Sequence, residues 1–169
     1  CNFPILGVKG DYSRDAEDFY EEVMDVHDRF GVKHFYIADE TFNDSSSKIQ
    51  KFAKVADKLP FTPYMTGHIR ADLMVSRPQD WDDMIKLGIN GHFYGIETFN
   101  HETGKAIGKG MLPERLQEGL LKIREYFLKH TGVYRGNISM IAGLPYETED
   151  SLMSANKWLM EEWKGENFS

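Results

Sequence analysis

Carboxylates stand at the ends of several short apolar runs in this chain, where residues distant in sequence can meet. Asp39 and Glu40 follow VKHFYIA at 32–38, Asp72 closes GHIRAD at 67–72, Glu97 ends HFYGIE at 92–97, and Glu147 lies in AGLPYET at 142–148. Gathered with His68 and Arg70 around one mouth, such carboxylates bind a cation, a ligand ammonium group or ribose hydroxyls. Arg70 adds a planar fork of donors that suits a carboxylate or a phosphate. A site offering both signs fits a zwitterion such as an amino acid better than a simple anion. Glu97 is the least explicable as structure alone, because a carboxylate ending an apolar strand after Gly95 needs a partner. Simpler roles compete elsewhere. Asp72 can cap or turn the chain, His68 can be a satisfied buried histidine, and Asp44 and Ser45 to Ser47 suit helix capping. His27, His34, His92, His101 and His130 show no metal-ligand spacing, and the methionines are scattered through core positions.

Four strand–loop–helix units recur at roughly thirty-residue spacing, which implies parallel strands joined by helical crossovers. Residues 1–13 read as a loop. Ser13 is placed to cap a helix over 14–30, with Phe19, Val23, Val26 and Phe30 on its buried face and Gly31 as its stop. A strand at 32–38 leads to a helix that begins at one of Asn43 to Ser47 and buries Ile49, Phe52, Ala56 and Leu59. A second strand spans 63–69, and a short helix after Pro78 uses Trp81, Met84 and Ile85 and closes at Gly88. The third strand is 92–97, Asn100 caps a single turn, and GKG at 108–110 is a loop. A longer helix from Pro113 presents Leu116, Leu120, Ile123 and Phe127. The fourth strand, 134–143, is followed by a helix over 149–163 with Leu152, Ala155 and Leu159 inward.

The predicted order is thus a helix and then four βα units. It implies an α/β fold, a partial (β/α)6 TIM-like barrel of parallel strands whose first strand and last strand or strands are missing, or else an open α/β sheet. In either architecture chemistry gathers at the carboxyl ends of the strands.

The totals narrow the classes. The chain has 169 residues, 41% of them hydrophobic and 28% charged, one domain's worth over 1–169. A net charge of −7 with no basic block argues against a general nucleic-acid-binding surface. No apolar run reaches the length of a membrane span, and no secretory leader is visible. A single cysteine makes no internal disulfide, which fits a reducing, cytoplasmic location. Because that cysteine is residue 1, where an initiator methionine is usual, the chain reads as a fragment.

CNFP at the start, DETF after the first strand, then GHIRAD, GIET, GKG and MIAGLPYET occur in an order that resembles the radical S-adenosylmethionine superfamily. The resemblance is closest to its branch of Elp3-like, MiaB-like and cobalamin-linked members, and it runs through nearly the whole chain. That family holds a four-iron, four-sulfur (4Fe-4S) cluster on three cysteines spaced CxxxCxxC. Cys1 matches the third, so the resemblance implies two more upstream of it; thiolates are the donors such clusters require. It implies that Ala38, Asp39 and Glu40 meet the methionine amino group of S-adenosylmethionine, with ADE in place of the family's usual GGE. It also implies that Arg70 pairs with the methionine carboxylate, that Glu97 lies near the ribose or that carboxylate, and that Ile141 and Gly143 lie near adenine.

The implied chemistry is one-electron reduction of S-adenosylmethionine by the cluster, giving methionine and a 5′-deoxyadenosyl radical that takes a hydrogen atom from substrate. An external electron donor is then a required partner. The substrate is left open, small molecule or macromolecule, and cobalamin is a further cofactor that an upstream domain would carry. A loop at 104–112 is placed to reach over the mouth. Two rival readings are a divalent-metal barrel lyase or isomerase using Asp39, Glu40 and Glu97, and a non-catalytic degenerate fragment.

Overall fold

In the computed structural model, residues 14–164 are described. Cys1 and the loop expected over 1–13 lie outside them. The elements run α1 (Ala16–Phe30), β1 (His34–Ile37), α2 (Ser46–Ala56), β2 (Tyr64–His68), α3 (Ala71–Ser76), a 3-10 turn (Pro78–Asp80), α4 (Trp81–Lys86), β3 (Ile89–Glu97), α5 (His101–Ala106), α6 (Pro113–Thr131), β4 (Arg135–Met140) and α7 (Glu149–Glu161). The four strands form one sheet in chain order, and every neighbouring pair is parallel. All four carboxyl ends therefore emerge along one edge.

Local chemistry sets most of these boundaries. Asp15 caps α1 by accepting from the Glu17 amide, while Ser13, expected in that role, is outside the described residues. Gly31, with φ of 65°, ends the helix in the left-handed conformation. Ser45 caps α2, Asn100 caps α5, and Thr148 with Ser151 forms a capping box on α7. Gly88 has no substitute: its φ is 72°, and a Cβ there would lie 1.9 Å from the Pro63 carbonyl oxygen. The β2–β3 crossover can close at this point only because the side chain is missing.

Three expectations need correction. Phe30 is 71% exposed rather than buried. α1 packs on α2, and at fifteen residues against eleven it is about 6 Å the longer of the two. A separate helix, α3, precedes Pro78, and at six residues it is too short to show a helical period. β4 stops at Met140, because Gly143 adopts a φ of 88° and turns the chain out of the sheet.

One face of the sheet is packed under the helices. Met65, Tyr94, Ile96 and Ile138 on that face join Ile49, Phe52, Met84, Leu120, Ile123 and Phe127 in one core. The residues between them in the strands, among them Tyr36, His68, Phe93 and Asn137, belong to the more open face, where Tyr36 is 58% exposed. No helix among the described residues is long and apolar enough to cross a membrane.

The core holds one buried polar chain. His92 is 1% exposed, with Nε2 2.8 Å from the Ile89 carbonyl oxygen and Nδ1 2.6 Å from the Tyr94 hydroxyl. A carbonyl can only accept, so Nε2 carries the proton and Nδ1 accepts from Tyr94. The Tyr94 oxygen in turn accepts from Tyr134 at 3.1 Å. Burial pushes the His92 imidazolium down to about 4 from 6.5, the Ile89 carbonyl opposing weakly. Between those two pH values the unfolded chain binds a proton that the folded chain does not. Stability should therefore fall as pH drops from 6.5 towards 4, by up to about 3 kcal/mol from this residue. Urea titrations across that window should show the slope, and His92→Gln should flatten it; an equal slope in the variant would place the acid sensitivity elsewhere.

Candidate functional site

The turn after β1 is organised around a buried lysine. Asp39 Oδ1 accepts from the Thr41 amide at 2.9 Å, and its Oδ2 lies 2.7 Å from Lys48 Nζ. Lys48 is only 8% exposed, sits 5.5 Å from the centre of the Phe42 ring, and also donates to the Thr41 carbonyl. Asp39 is thus committed to shaping the turn and neutralising Lys48. Ala38 and Glu40 flank it and are exposed.

The end of β2 is tied to that same turn. The Phe42 amide donates to the His68 carbonyl at 3.3 Å. Asn43 accepts from the Arg70 amide at 2.8 Å through Oδ1 and donates to the Arg70 carbonyl at 3.0 Å through Nδ2. The Arg70 side chain then doubles back onto Asp72, Nε to Oδ1 at 3.1 Å and a terminal nitrogen to Oδ2 at 2.5 Å. Burial alone would raise the Asp72 carboxyl, but the paired Arg70 guanidinium, helped by the Leu73 amide and then Lys109, holds it below the usual range. His68 packs edge-on between the Tyr36 and Phe93 rings, with centroids 6.1 and 5.1 Å away. That is a packing role on the open face.

β3 ends in strain. Glu97 has φ of 70°, a region that a β-carbon disfavours, at an irregularity where the β3–β4 register shifts between Gly95 and Glu97. Such a conformation costs on the order of 1–3 kcal/mol and persists only where its surroundings enforce it. Lys109 does so from the loop after α5: its Nζ donates to the Gly95 carbonyl at 2.6 Å and lies 3.5 Å from Glu97 Oε1. The loop at 104–112 therefore does reach the mouth, through this lysine. From the other side, the Ile141 amide donates to the Glu97 carbonyl at 2.9 Å.

Beyond β4, Ile141 is 45% exposed and Gly143 is exposed. Glu147 folds back on this loop, accepting from the Gly143 amide at 2.6 Å and the Leu144 amide at 3.3 Å. Its carboxylate shapes the backbone that presents Ile141 and Gly143.

These contacts join the four strand ends into one rim. Asp39 leads through its turn and Asn43 to Arg70, then to Asp72, Lys109 and Glu97, and across to Ile141 and Gly143. The rim sets the carboxylates Asp39, Glu40, Asp72 and Glu97 against the cations Lys48, Arg70 and Lys109. Asp39 and Glu97, which a divalent-metal enzyme would need as ligands, each face an ammonium group instead. Among the described residues no group of three His, Cys, Asp or Glu side chains is placed to hold a metal ion. Cys1 lies outside the described residues. Sequence alone does not single out Lys109 or Asn43 as site residues. GKG marks the loop of Lys109 without indicating its target, and Asn43 has the residue type and position of one of several helix caps.

Residues 1–159 match the model of the Radical SAM superfamily, and the chain belongs to that superfamily. An anaerobic magnesium-protoporphyrin IX monomethyl ester cyclase from Synechocystis sp. is 25% identical over 169 residues, 91% of this chain and 33% of the cyclase. The cobalamin-dependent S-adenosylmethionine radical enzyme OxsB, solved with aqua-cobalamin and S-adenosylmethionine bound, superposes with a TM-score of 0.69 at 20% identity, covering 86% of this chain and 22% of OxsB. The coproporphyrinogen III oxidase HemN of Escherichia coli gives 0.60 at 16% identity, with 91% of this chain and 36% of HemN covered. The chain thus spans between about a fifth and about a third of these relatives' length, and its four-stranded parallel sheet is part of the barrel-like fold of the solved structures.

The Arg70–Asp72 pair is directly testable. Arg70→Met removes the main group that depresses the Asp72 carboxyl and leaves burial opposed only by the Leu73 amide and Lys109. The Asp72 carboxyl should then titrate at higher pH than in the unaltered protein, followed by carbon-13 NMR of the carboxyl groups. An unmoved titration would show that the pair does not form in solution.

Proposed function

We propose that this chain is the core of a radical S-adenosylmethionine enzyme and that its rim binds S-adenosylmethionine. The observation that carries the reading is the rim itself: fixed carboxylates and cations alternate along the strand carboxyl ends, inside the segment that matches the superfamily. S-adenosylmethionine brings a carboxylate, an ammonium and a sulfonium, a net single positive charge. Carboxylates and cations set along one rim offer a partner to each of those signs.

In this reading Glu40, beside Ala38 and the Lys48-neutralised Asp39, offers a carboxylate to the methionine ammonium group. Arg70 offers its guanidinium to the methionine carboxylate, and Asp72 holds that guanidinium until the ligand arrives. Glu97 accepts from the ribose hydroxyls, its direction set by the strained backbone and Lys109. Ile141 supplies apolar surface to adenine, and Gly143 lets the base approach the backbone closely. These residues bind and orient the cofactor.

Cys1, with two further thiolates, would hold a 4Fe-4S cluster, which when bound would supply the electron for reductive cleavage of the sulfonium. A single thiolate cannot hold it, so residues 1–169 alone should not turn over. An external donor reduces the cluster, the compartment is the cytoplasm, and residues 1–169 form one core domain. Likeness to OxsB favours cobalamin as a second cofactor, carried by a domain upstream. The substrate is a small molecule or a macromolecule recognised by segments that flank the core.

The full-length protein, reconstituted with iron and sulfide without oxygen and strongly reduced, should form 5′-deoxyadenosine from S-adenosylmethionine. Glu97→Ala and Arg70→Ala should each weaken cofactor binding about ten- to hundredfold, the worth of one charge-assisted hydrogen bond. A protein that carries a complete cluster yet yields no 5′-deoxyadenosine would overturn the assignment.

A further inference from the structure

We propose that Asn43 is a positioning residue for the cofactor site, setting Arg70 at a fixed distance from the Glu40 turn. The proposal rests on the reading above that Arg70 meets the methionine carboxylate. Ladder pairing between β1 and β2 ends at Ile37 and Gly67. Beyond that point the Phe42 amide still reaches the His68 carbonyl and the Ile69 amide the Phe93 carbonyl, and the contact between the β1 turn and Arg70 itself is made by a side chain. Asn43 supplies what the ladder no longer does. Its side-chain amide takes the Arg70 N–H at 2.8 Å and gives its own N–H to the Arg70 carbonyl at 3.0 Å, as a neighbouring strand would.

Only a short carboxamide does both from this position. Asp lacks the donor, Ser offers a single group, and Gln is one methylene longer. Asn43 is 1% exposed, and its own carbonyl is held by Arg77 at 2.8 Å, so the clamp is anchored at its base. It is not spent on the helix that follows, since Ser45 caps α2. Glu40 lies three residues before it in the same turn. One side chain thus spans the groups proposed for the two ends of the amino-acid moiety, the ammonium at Glu40 and the carboxylate at Arg70.

The test uses the cluster-loaded full-length protein, with S-adenosylmethionine as the probe, and compares Asn43→Ala, Asn43→Asp, Arg70→Ala and the Asn43→Ala/Arg70→Ala pair. Asn43→Ala should raise Kd and KM for S-adenosylmethionine about tenfold while kcat at saturation stays within about twofold. Asn43→Asp keeps the acceptor for the Arg70 amide and should raise Kd by about threefold. In the Arg70→Ala background, loss of Asn43 should change Kd by less than about twofold, because both changes remove one interaction.

A merely structural Asn43 gives a different pattern: a lower melting temperature and less active protein, an unchanged Kd for the folded fraction, and full additivity with Arg70→Ala. That pattern overturns the proposal. If Asn43→Ala does not fold, Asn43→Asp carries the comparison, and an unaltered Kd in it is equally decisive. An unaltered enzyme that fails to bind S-adenosylmethionine overturns the cofactor reading and this inference together. Tight wild-type binding with no effect of Asn43 overturns this inference alone.

Discussion

Parallel pairing is the constraint from which the site follows. In a parallel sheet every strand must leave by the same edge, so residues far apart in sequence are delivered to one line without contacting one another during their placement. Glu40, Arg70, Glu97 and Gly143 each follow or end a different strand, and no local interaction could gather them. The crossovers that permit this have tight requirements of their own. Gly88 must lack a side chain so that the turn into β3 can pass the Pro63 carbonyl, and the helices must bury one face of each strand. The fold and the rim are therefore a single problem with one solution: what packs the helices onto one face also aligns the strand ends.

A line of carboxylates at a partly desolvated edge is unstable by itself, since like charges repel and burial penalises each ion. The rim answers by setting a cation beside Asp39, Asp72 and Glu97, namely Lys48, Arg70 and Lys109. These pairs differ in exposure, and the difference has consequences. Lys48 is almost fully buried, which makes its contact with Asp39 part of the architecture. Arg70 and Lys109 are 56% and 42% exposed in their side chains, so a ligand's own charges can compete for them at modest cost. The rim thus divides into a fixed base at β1 and exchangeable pairs at β2 and β3.

The elements legible in the sequence are those governed by local rules. Gly31, Asn100 and Thr148 terminate or cap helices as their types require, and the apolar stripes of α2 and α6 face the core at the expected spacing; on α7 Leu159 joins that core, Ala155 is buried and Leu152 half-buried. The ordered motifs point to the superfamily, and the match over 1–159 bears that out. What the sequence leaves illegible depends on contacts between segments. Asn43 reads as a cap because its true partner is 27 residues away, and Lys109 reads as a surface-loop residue because its target, the Gly95 carbonyl, has no sequence signature. Phe30 reads as buried because periodicity reports a face and not where the neighbouring layer stops. Nor does composition reveal that Asp39 meets a lysine nine residues on, turned inward.

The strain at Glu97 shows how these separate contacts act together. A glycine there would adopt φ of 70° freely, so a carboxylate in that position is retained against a backbone preference. The register shift beside it turns the residue off the regular alternation of β3, and Lys109 and the Ile141 amide hold its two ends. Neither contact would be needed if the side chain merely closed a turn, since the adjacent Thr98 and Asn100 already lead into α5. The same rim has a second left-handed residue at Gly143, but there the position is open and glycine meets it without strain. Glu97 and Gly143 thus adopt the same backbone region by opposite means, while Tyr146, later in the β4 loop, takes φ of 64° as a non-glycine. At β4 the side chain is dispensed with, which leaves backbone accessible. At β3 a carboxylate is kept and aimed, and the cost of aiming it is carried by the loop that Lys109 brings over the mouth.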